Sequence, residues 1–194
     1  TLIIKDDGAL RFAKRAAKYA YYKKFPDRKN KEYKDILFIN GCTLPHPERY
    51  RVAHQIEQLI SQGLTADSVF YDRLSLDQLK YYRGFVFFRC PITDTVRNFI
   101  KQANYFNKTC FFDIDDLVID QKYTDSIEYV QKMSDEDKRL YNDGVNRMRE
   151  TLTLCSHAIT TTTQLQEELQ KYIKGQVLIN RNVASDEMIS RSNA

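Results

Sequence analysis

Short apolar runs alternate with amphipathic stretches along the chain from Asp35 onward. Uninterrupted apolar runs of this length are typical of parallel strands that are covered on both faces. They predict six strands, at 35–40, 68–71, 84–88, 109–112, 157–161 and 176–180. Apolar residues at three- and four-residue spacing predict the main helices between them, at about 48–62, 93–106, 134–154 and 164–172. Strand and helix alternating with short connections predict an α/β, Rossmann-like, doubly wound and mostly parallel six-stranded sheet.

Glycines and small polar residues mark where several predicted helices begin and end. Thr93 is a predicted N-cap, and Gly63 is a predicted helix end. Phe106 belongs to the apolar face of the helix that Thr93 begins. Gly144 lies on the apolar face of the longest predicted helix, where glycine costs about 1 kcal/mol relative to alanine. We therefore expect this helix to approach the sheet closely at Gly144.

Residues 1–34 differ from the rest of the chain in charge. They hold eleven Lys or Arg against four Asp or Glu, a net charge of +7, so residues 35–194 carry −3 of the total +4. The stretch 9–25 predicts a basic helix, and the arm is interpreted as a spacer, a docked helix or a contact with an anionic membrane surface. The mildly acidic domain, residues 35–194, argues against nucleic acid as a partner.

The 194 residues suffice for one domain with a full core, and 42% of them are hydrophobic. The four cysteines form no CxxC pair and only three histidines are present, so we expect no metal site and reduced thiols in a cytoplasmic protein. The chain starts at Thr1 rather than Met, so we expect it to be an internal piece of a longer protein.

Three carboxylates follow the fourth predicted strand: Asp113, Asp115 and Asp116. Like charges this close repel one another, so folding alone gives no reason to place them at the end of a core strand. Ligands of open α/β sheets bind outside the carboxyl ends of the strands, which predicts that these acids face a substrate crevice. The alternative is a helix start with acidic residues in its first turn.

Polar side chains also follow the first strand, although the loop lacks a GxGxxG fingerprint for a dinucleotide. His46, Arg49, Tyr50 and Arg51 lie around the predicted helix start, where cations oppose the helix dipole. They predict a site for an anionic or hydroxyl-rich ligand. The alternative is that Arg49 or Arg51 pairs with one of the acids after the fourth strand. Arg89 lies at the carboxyl end of the third strand.

Two chemistries can be built from the acids alone. Asp113 and Asp115 fit the DxD motif of a haloacid-dehalogenase-type phosphatase, but that motif normally ends the first strand of its domain, whereas here it follows the fourth. The same spacing suits Mg²⁺ or Mn²⁺ bridging the diphosphate of a nucleotide-sugar, but such enzymes have a different sheet.

Residues 35–191 resemble a third class, the N-terminal, acceptor-side domain of bacterial GT-B glycosyltransferases of the family-4-like group (group 1), which act in cell-surface polysaccharide synthesis. The motifs that carry the resemblance are PERYRV at 47–52, FDIDDLVID at 112–120, CSHAITTT at 155–162 and LINRNV at 178–183. The resemblance implies one half of a GT-B fold and a hexosyl- or rhamnosyltransferase at the inner face of the membrane.

By the same resemblance, a sugar moves from a nucleotide-sugar substrate to a glycan or glycolipid acceptor, without a tightly bound cofactor or an obligatory metal. Asp115 or Asp116 would orient or deprotonate the acceptor hydroxyl, and His46, Arg51 and Arg89 would line the acceptor crevice. The donor would bind mainly to a C-terminal domain that this chain lacks, so we expect the chain to be inactive alone. The alternative from a different class is a non-catalytic binding or scaffold module.

Overall fold

Six parallel strands form one sheet in residues 33–192, the part of the chain that the computed structural model describes. The strands are β1 Lys34–Asn40, β2 Ala66–Phe70, β3 Tyr82–Phe88, β4 Thr109–Asp113, β5 His157–Thr160 and β6 Val177–Ile179. Their spatial order is β2-β1-β3-β4-β5-β6, and every neighbouring pair is parallel. The chain reverses its direction of travel across the sheet between β1 and β3, which is the topological switch point. The predicted α/β, Rossmann-like, doubly wound fold is confirmed.

Eight α-helices connect and follow the strands within residues 33–192. They are α1 Pro45–Glu48, α2 His54–Ser61, α3 Asp94–Tyr105, α4 Gln121–Thr124, α5 Glu128–Gln131, α6 Asp135–Leu154, α7 Thr163–Leu169 and α8 Asp186–Ser192. A π-helical turn, Arg49–Ala53, joins α1 to α2, and 3₁₀ turns occupy Tyr71–Arg73 and Leu76–Lys80. The first helical stretch starts earlier than predicted because proline is tolerated in a first helical turn, where its missing N–H is not needed.

The core has two layers because alternate residues of each strand point to opposite faces of the sheet. Phe85 and Phe87 of β3 belong to the larger cluster, which packs against α3 and α6. Val86 and Phe88 belong to the smaller cluster on the other face, with Val52 of the π-helical turn. All three phenylalanines are fully buried, and each contributes about 1.5–3 kcal/mol by leaving water. This explains the uninterrupted apolar run at 84–88, since both faces of β3 are covered along that run.

Two detailed predictions about helix packing are wrong. A Cβ atom added to Gly144 would meet nothing within 4 Å, so the helix does not approach the sheet closely at this residue. Phe106 is 58% exposed because α3 ends at Tyr105, and the residue after it turns away from the apolar face. The predicted helix at 9–25 lies outside the described residues. Within residues 33–192, no helix combines the length and the apolar character needed to cross a membrane.

Candidate functional site

A buried ion pair joins the π-helical turn to the end of β4. Both Nε and Nη2 of Arg51 donate to Oδ1 of Asp113, at 3.1 and 2.7 Å, and Nη2 also donates to Oδ2 at 2.8 Å. Arg51 is 0% exposed and Asp113 is 1% exposed. The remaining Arg51 nitrogen, Nη1, donates to the carbonyl of Asn180 at 2.6 Å and to Oδ1 of Asn182 at 3.3 Å. One guanidinium therefore connects three separate parts of the sheet's C-terminal edge.

The electrostatics of this pair follow from its burial. Removal from water raises the pKa of the Asp113 carboxyl to about 7, and the Arg51 guanidinium acts in the opposite direction by stabilising the carboxylate. The bidentate geometry is the one in which arginine binds a carboxylate most strongly. This is the pairing raised as an alternative from the sequence. A direct contact of Arg51 or Asp113 with a substrate would require the pair to open.

The other two acids pair with Arg89, which follows β3. Nε of Arg89 donates to Oδ1 of Asp115 at 2.7 Å, and Nη2 donates to Oδ2 of Asp116 at 3.2 Å. These three residues are called the Arg89 cluster below. Asp115 is mostly shielded, with 18% of its side chain exposed, whereas Asp116 is 66% exposed. The cluster therefore presents one accessible carboxylate at the C-terminal edge of the sheet.

The backbone holds Arg89 in an unusual conformation. Its φ angle is 41°, in the left-handed region that non-glycine residues rarely adopt. Its N–H donates to the carbonyl of Asp113 at 2.9 Å, which extends the pairing of β3 with β4. A Cβ atom on Gly41 would lie 2.4 Å from the Arg89 carbonyl oxygen, so the loop after β1 presses directly on this residue. The loops at the switch point thus fix Arg89, and strain of this kind clusters at functional sites.

Tyr141 of α6 borders the Arg89 cluster from the helix layer. Burial raises the pKa of its hydroxyl, and the negative charge of Asp116 acts in the same direction. Tyr141 lies within the helix predicted at 134–154, and the sequence gave no sign that it would approach the acids. Only the tertiary structure brings the helix and the strand end together.

The remaining predicted site residues lie elsewhere. Arg49 and Tyr50 line a cleft of about 490 Å³ together with residues of α8, and neither Arg89 nor any of the three acids lines it. Nε of Arg49 donates to Nε2 of His54 at 3.3 Å, and the Tyr50 ring meets His54 edge-on at 5.1 Å. His46 is exposed on α1. The structure therefore joins Arg51 and Arg89 to the acids but leaves Arg49 and Tyr50 in a separate cleft.

Two polar residues that the sequence analysis did not single out hold the segment after β6. Nδ1 of His54 lies 2.9 Å from the carbonyl of Val183, and Nε2 of Gln55 donates to the carbonyl of Arg181 at 3.3 Å. The Gln55 side chain also accepts from the Asn180 amide. His54 and Gln55 are each 2% exposed. His54 and Gln55 follow Arg51 at i+3 and i+4, so the three side chains lie on one side of the helix. This spacing is the sequence signal that could have identified His54 and Gln55.

Within residues 33–192, no group of three or more His, Cys, Asp or Glu side chains is arranged to hold a metal ion. No model of a protein family matches the chain, and no curated protein or solved structure matches it either. The geometry of the C-terminal edge is therefore the basis for any functional assignment.

Proposed function

We propose that the described domain is the acceptor-side half of a glycosyltransferase, which moves a sugar from a nucleotide-sugar to a glycan or glycolipid of the cell surface. The observation that carries the proposal is the Arg89 cluster. It presents an accessible carboxylate beside an arginine in a left-handed conformation, outside the carboxyl ends of β3 and β4. Ligands of open α/β sheets bind at this edge, near the switch point.

Asp116 is the better candidate for the base that activates the acceptor hydroxyl. Its Oδ2 accepts from Arg89, and within residues 33–192 its Oδ1 has no hydrogen-bond partner. An acceptor hydroxyl can reach Oδ1 from solvent, as proton abstraction requires. Asp115 is more shielded and accepts from Arg89 at the shorter distance of 2.7 Å. It is better suited to positioning Arg89 than to proton transfer.

The remaining parts of the proposal concern partners. The nucleotide-sugar donor binds mainly to a second α/β domain of the same protein, so this chain supplies half of the active site and is inactive alone. The basic arm, residues 1–34, gives a peripheral contact with the anionic inner face of the membrane. These partners follow from the resemblance described above and from the charge of the arm.

The test uses the full-length protein that the gene encodes, with cell membranes as acceptor and radiolabelled nucleotide-sugars as donors. Transfer of label to the membrane fraction is expected. Asp116→Asn should lower the transfer rate by about 100-fold or more, the usual contribution of a general base. Asp125→Asn is the matched control, since Asp125 is also exposed and paired with a cation, Lys138 at 3.5 Å. Asp125→Asn should leave the rate unchanged.

Two outcomes would contradict the proposal. Wild-type rates in both Asp115→Asn and Asp116→Asn would mean that the acids are structural. Transfer by the 194-residue chain alone would mean that the site is not half of a larger one.

A non-catalytic binding module is the second candidate, and a specific observation favours it. Asp113, Asp115 and Asp116 are all paired with arginines, as they would be if their role were to shape the loops. A full-length protein without a second α/β domain, and without transfer from any donor, would support this candidate. The phosphatase alternative is not favoured, since its nucleophile would be Asp113, and both oxygens of Asp113 accept from Arg51 in a buried pair.

A further inference from the structure

A cleft of about 640 Å³ opens beside the C-terminal ends of β5 and β6. Every residue that lines it has a polar side chain. The lining comes from the hydroxyl run after β5, from α7 and from the segment after β6, and includes Thr161, Thr163, Gln164, Glu167, Arg181 and Asn182. Its size falls within the range of about 300–1,000 Å³ that is typical of small-molecule sites.

The charged side chains of this cleft do not neutralise each other. Within residues 33–192, the guanidinium of Arg181 makes no ion pair or hydrogen bond, and neither does the carboxylate of Glu167, although both face the same cleft. Two other arginines at this edge of the sheet already have partners. Arg51 binds Asp113 and the segment after β6, and Arg89 binds Asp115 and Asp116. Arg181, which is exposed, therefore remains available to an external anion.

The wall that carries Arg181 is held in place from inside the domain. Gln55 fixes the main chain by donating to the Arg181 carbonyl at 3.3 Å. Arg51 donates to Oδ1 of Asn182 at 3.3 Å, which leaves the Nδ2 group of Asn182 as a donor. Gln55 and Arg51 are buried, at 2% and 0% exposure. The segment is thus preorganised, so a ligand would not have to order it.

We infer that this cleft binds a phosphorylated sugar. Arg181 pairs with the phosphate, since a guanidinium offers several donors to phosphate oxygens in one plane. The hydroxyls of Thr161 and Thr163 add neutral donors. Glu167 and Gln164 accept hydrogen bonds from the sugar hydroxyls, which a free phosphate lacks. The inference goes beyond the proposed function and does not rest on it, because binding to the 194-residue chain requires neither a donor nor sugar transfer.

The experiment is calorimetric titration of the 194-residue chain at low salt with glucose 1-phosphate, and separately with glucose and with inorganic phosphate. Saturable binding of glucose 1-phosphate, tighter than that of either component, is expected. Arg181→Gln should weaken it about tenfold or more, since hydrogen bonds to charged groups are lost. Arg139→Gln is the matched control, because within the described residues Arg139 is another arginine without an ion pair, and it lines a different cleft. It should leave the affinity unchanged.

Three results would overturn the inference. They are the absence of saturable binding, equal affinity for inorganic phosphate and glucose 1-phosphate, and an equal loss in Arg139→Gln and Arg181→Gln. Glu167→Gln separates the two parts of the ligand, since it should lower the affinity for glucose 1-phosphate and leave that for inorganic phosphate unchanged.

Vesicles that carry a lipid-linked glucose phosphate distinguish a membrane headgroup from a free sugar phosphate. Binding to the vesicles that is tighter than binding to glucose 1-phosphate identifies the headgroup as the ligand. Equal or weaker binding identifies the free sugar phosphate.

Discussion

Replacement of Arg51 by methionine tests the buried ion pair at the centre of the C-terminal edge. The substitution keeps much of the side-chain length but removes three hydrogen bonds to Asp113 and two to the segment after β6. Breaking a fully buried pair by removing one partner costs about 3–5 kcal/mol, because the other charge is left uncompensated. We expect the free energy of unfolding of Arg51→Met to fall by about this amount.

The loss should depend on pH. In the wild type, burial raises the pKa of Asp113 to about 7, above its value in the unfolded chain. A group whose pKa is raised in the folded state contributes fully to the free energy of unfolding at pH values below its unfolded-state pKa. This contribution is lost as the pH rises through its folded-state pKa. Without Arg51 the largest opposing influence is gone, and the folded-state pKa of Asp113 moves still higher. As the pH rises from 7 to this higher pKa, the wild type loses no further stability at Asp113. The variant continues to lose stability over the same range, by up to roughly 1.4 kcal/mol per pH unit.

The assay is urea unfolding followed by circular dichroism at pH 6.0 and pH 8.5, with the deficit of Arg51→Met expected to be larger at pH 8.5. The double variant Arg51→Met, Asp113→Asn removes the isolated charge, so its deficit should be smaller and the same at both pH values. Arg83→Met, which breaks an exposed pair with Asp35, should have little effect at either pH. A deficit below about 1 kcal/mol at pH 8.5, or one that the double variant does not relieve, would refute the reasoning.

The remaining predictions concern glycines and thiols. Gly41→Ala should lower the free energy of unfolding by about 1–3 kcal/mol, because its Cβ would meet the backbone at residues 89 and 90 within 2.4 Å. Gly144→Ala should instead raise it by about 1 kcal/mol, since the helix has open space there; a loss in urea unfolding would contradict this. Cys42 should react fast with a chromogenic disulfide in the native protein. The three buried thiols should react only after denaturation, because burial raises their pKa; they are Cys90, Cys110 and Cys155. More than one fast-reacting thiol in the native protein would contradict this prediction.

The fold could be predicted because its signals are local. The run at 84–88 is uniformly apolar, and only a strand covered on both faces buries such a run completely. Thr93 was a predicted helix cap, and its side chain accepts a hydrogen bond from the backbone N–H of Val96 in the first turn of the helix. Phe106 shows the limit of this approach. Its spacing fits the apolar face, but the helix ends one residue before it.

The residues of the candidate site could be predicted, but which arginine pairs with which acid could not. The sequence indicated that acids follow β4 and that arginines follow β1 and β3. It left open whether Arg49 or Arg51 would meet an acid. The π-helical turn settles this, since it directs Arg51 inward and leaves Arg49 on the surface.

By itself, the sequence determined the parallel sheet, its helices and the edge on which polar side chains collect. These features depend on periodicity and on residues close together in the chain. The tertiary structure decided the partners at that edge: Arg51 and Asp113 are 62 positions apart, and Arg51 and Asn180 are 129 apart. Contacts of this kind depend on strand order and helix rotation, because a turn of about 100° per residue decides which neighbouring side chain is buried. No local pattern in the chain contains that information.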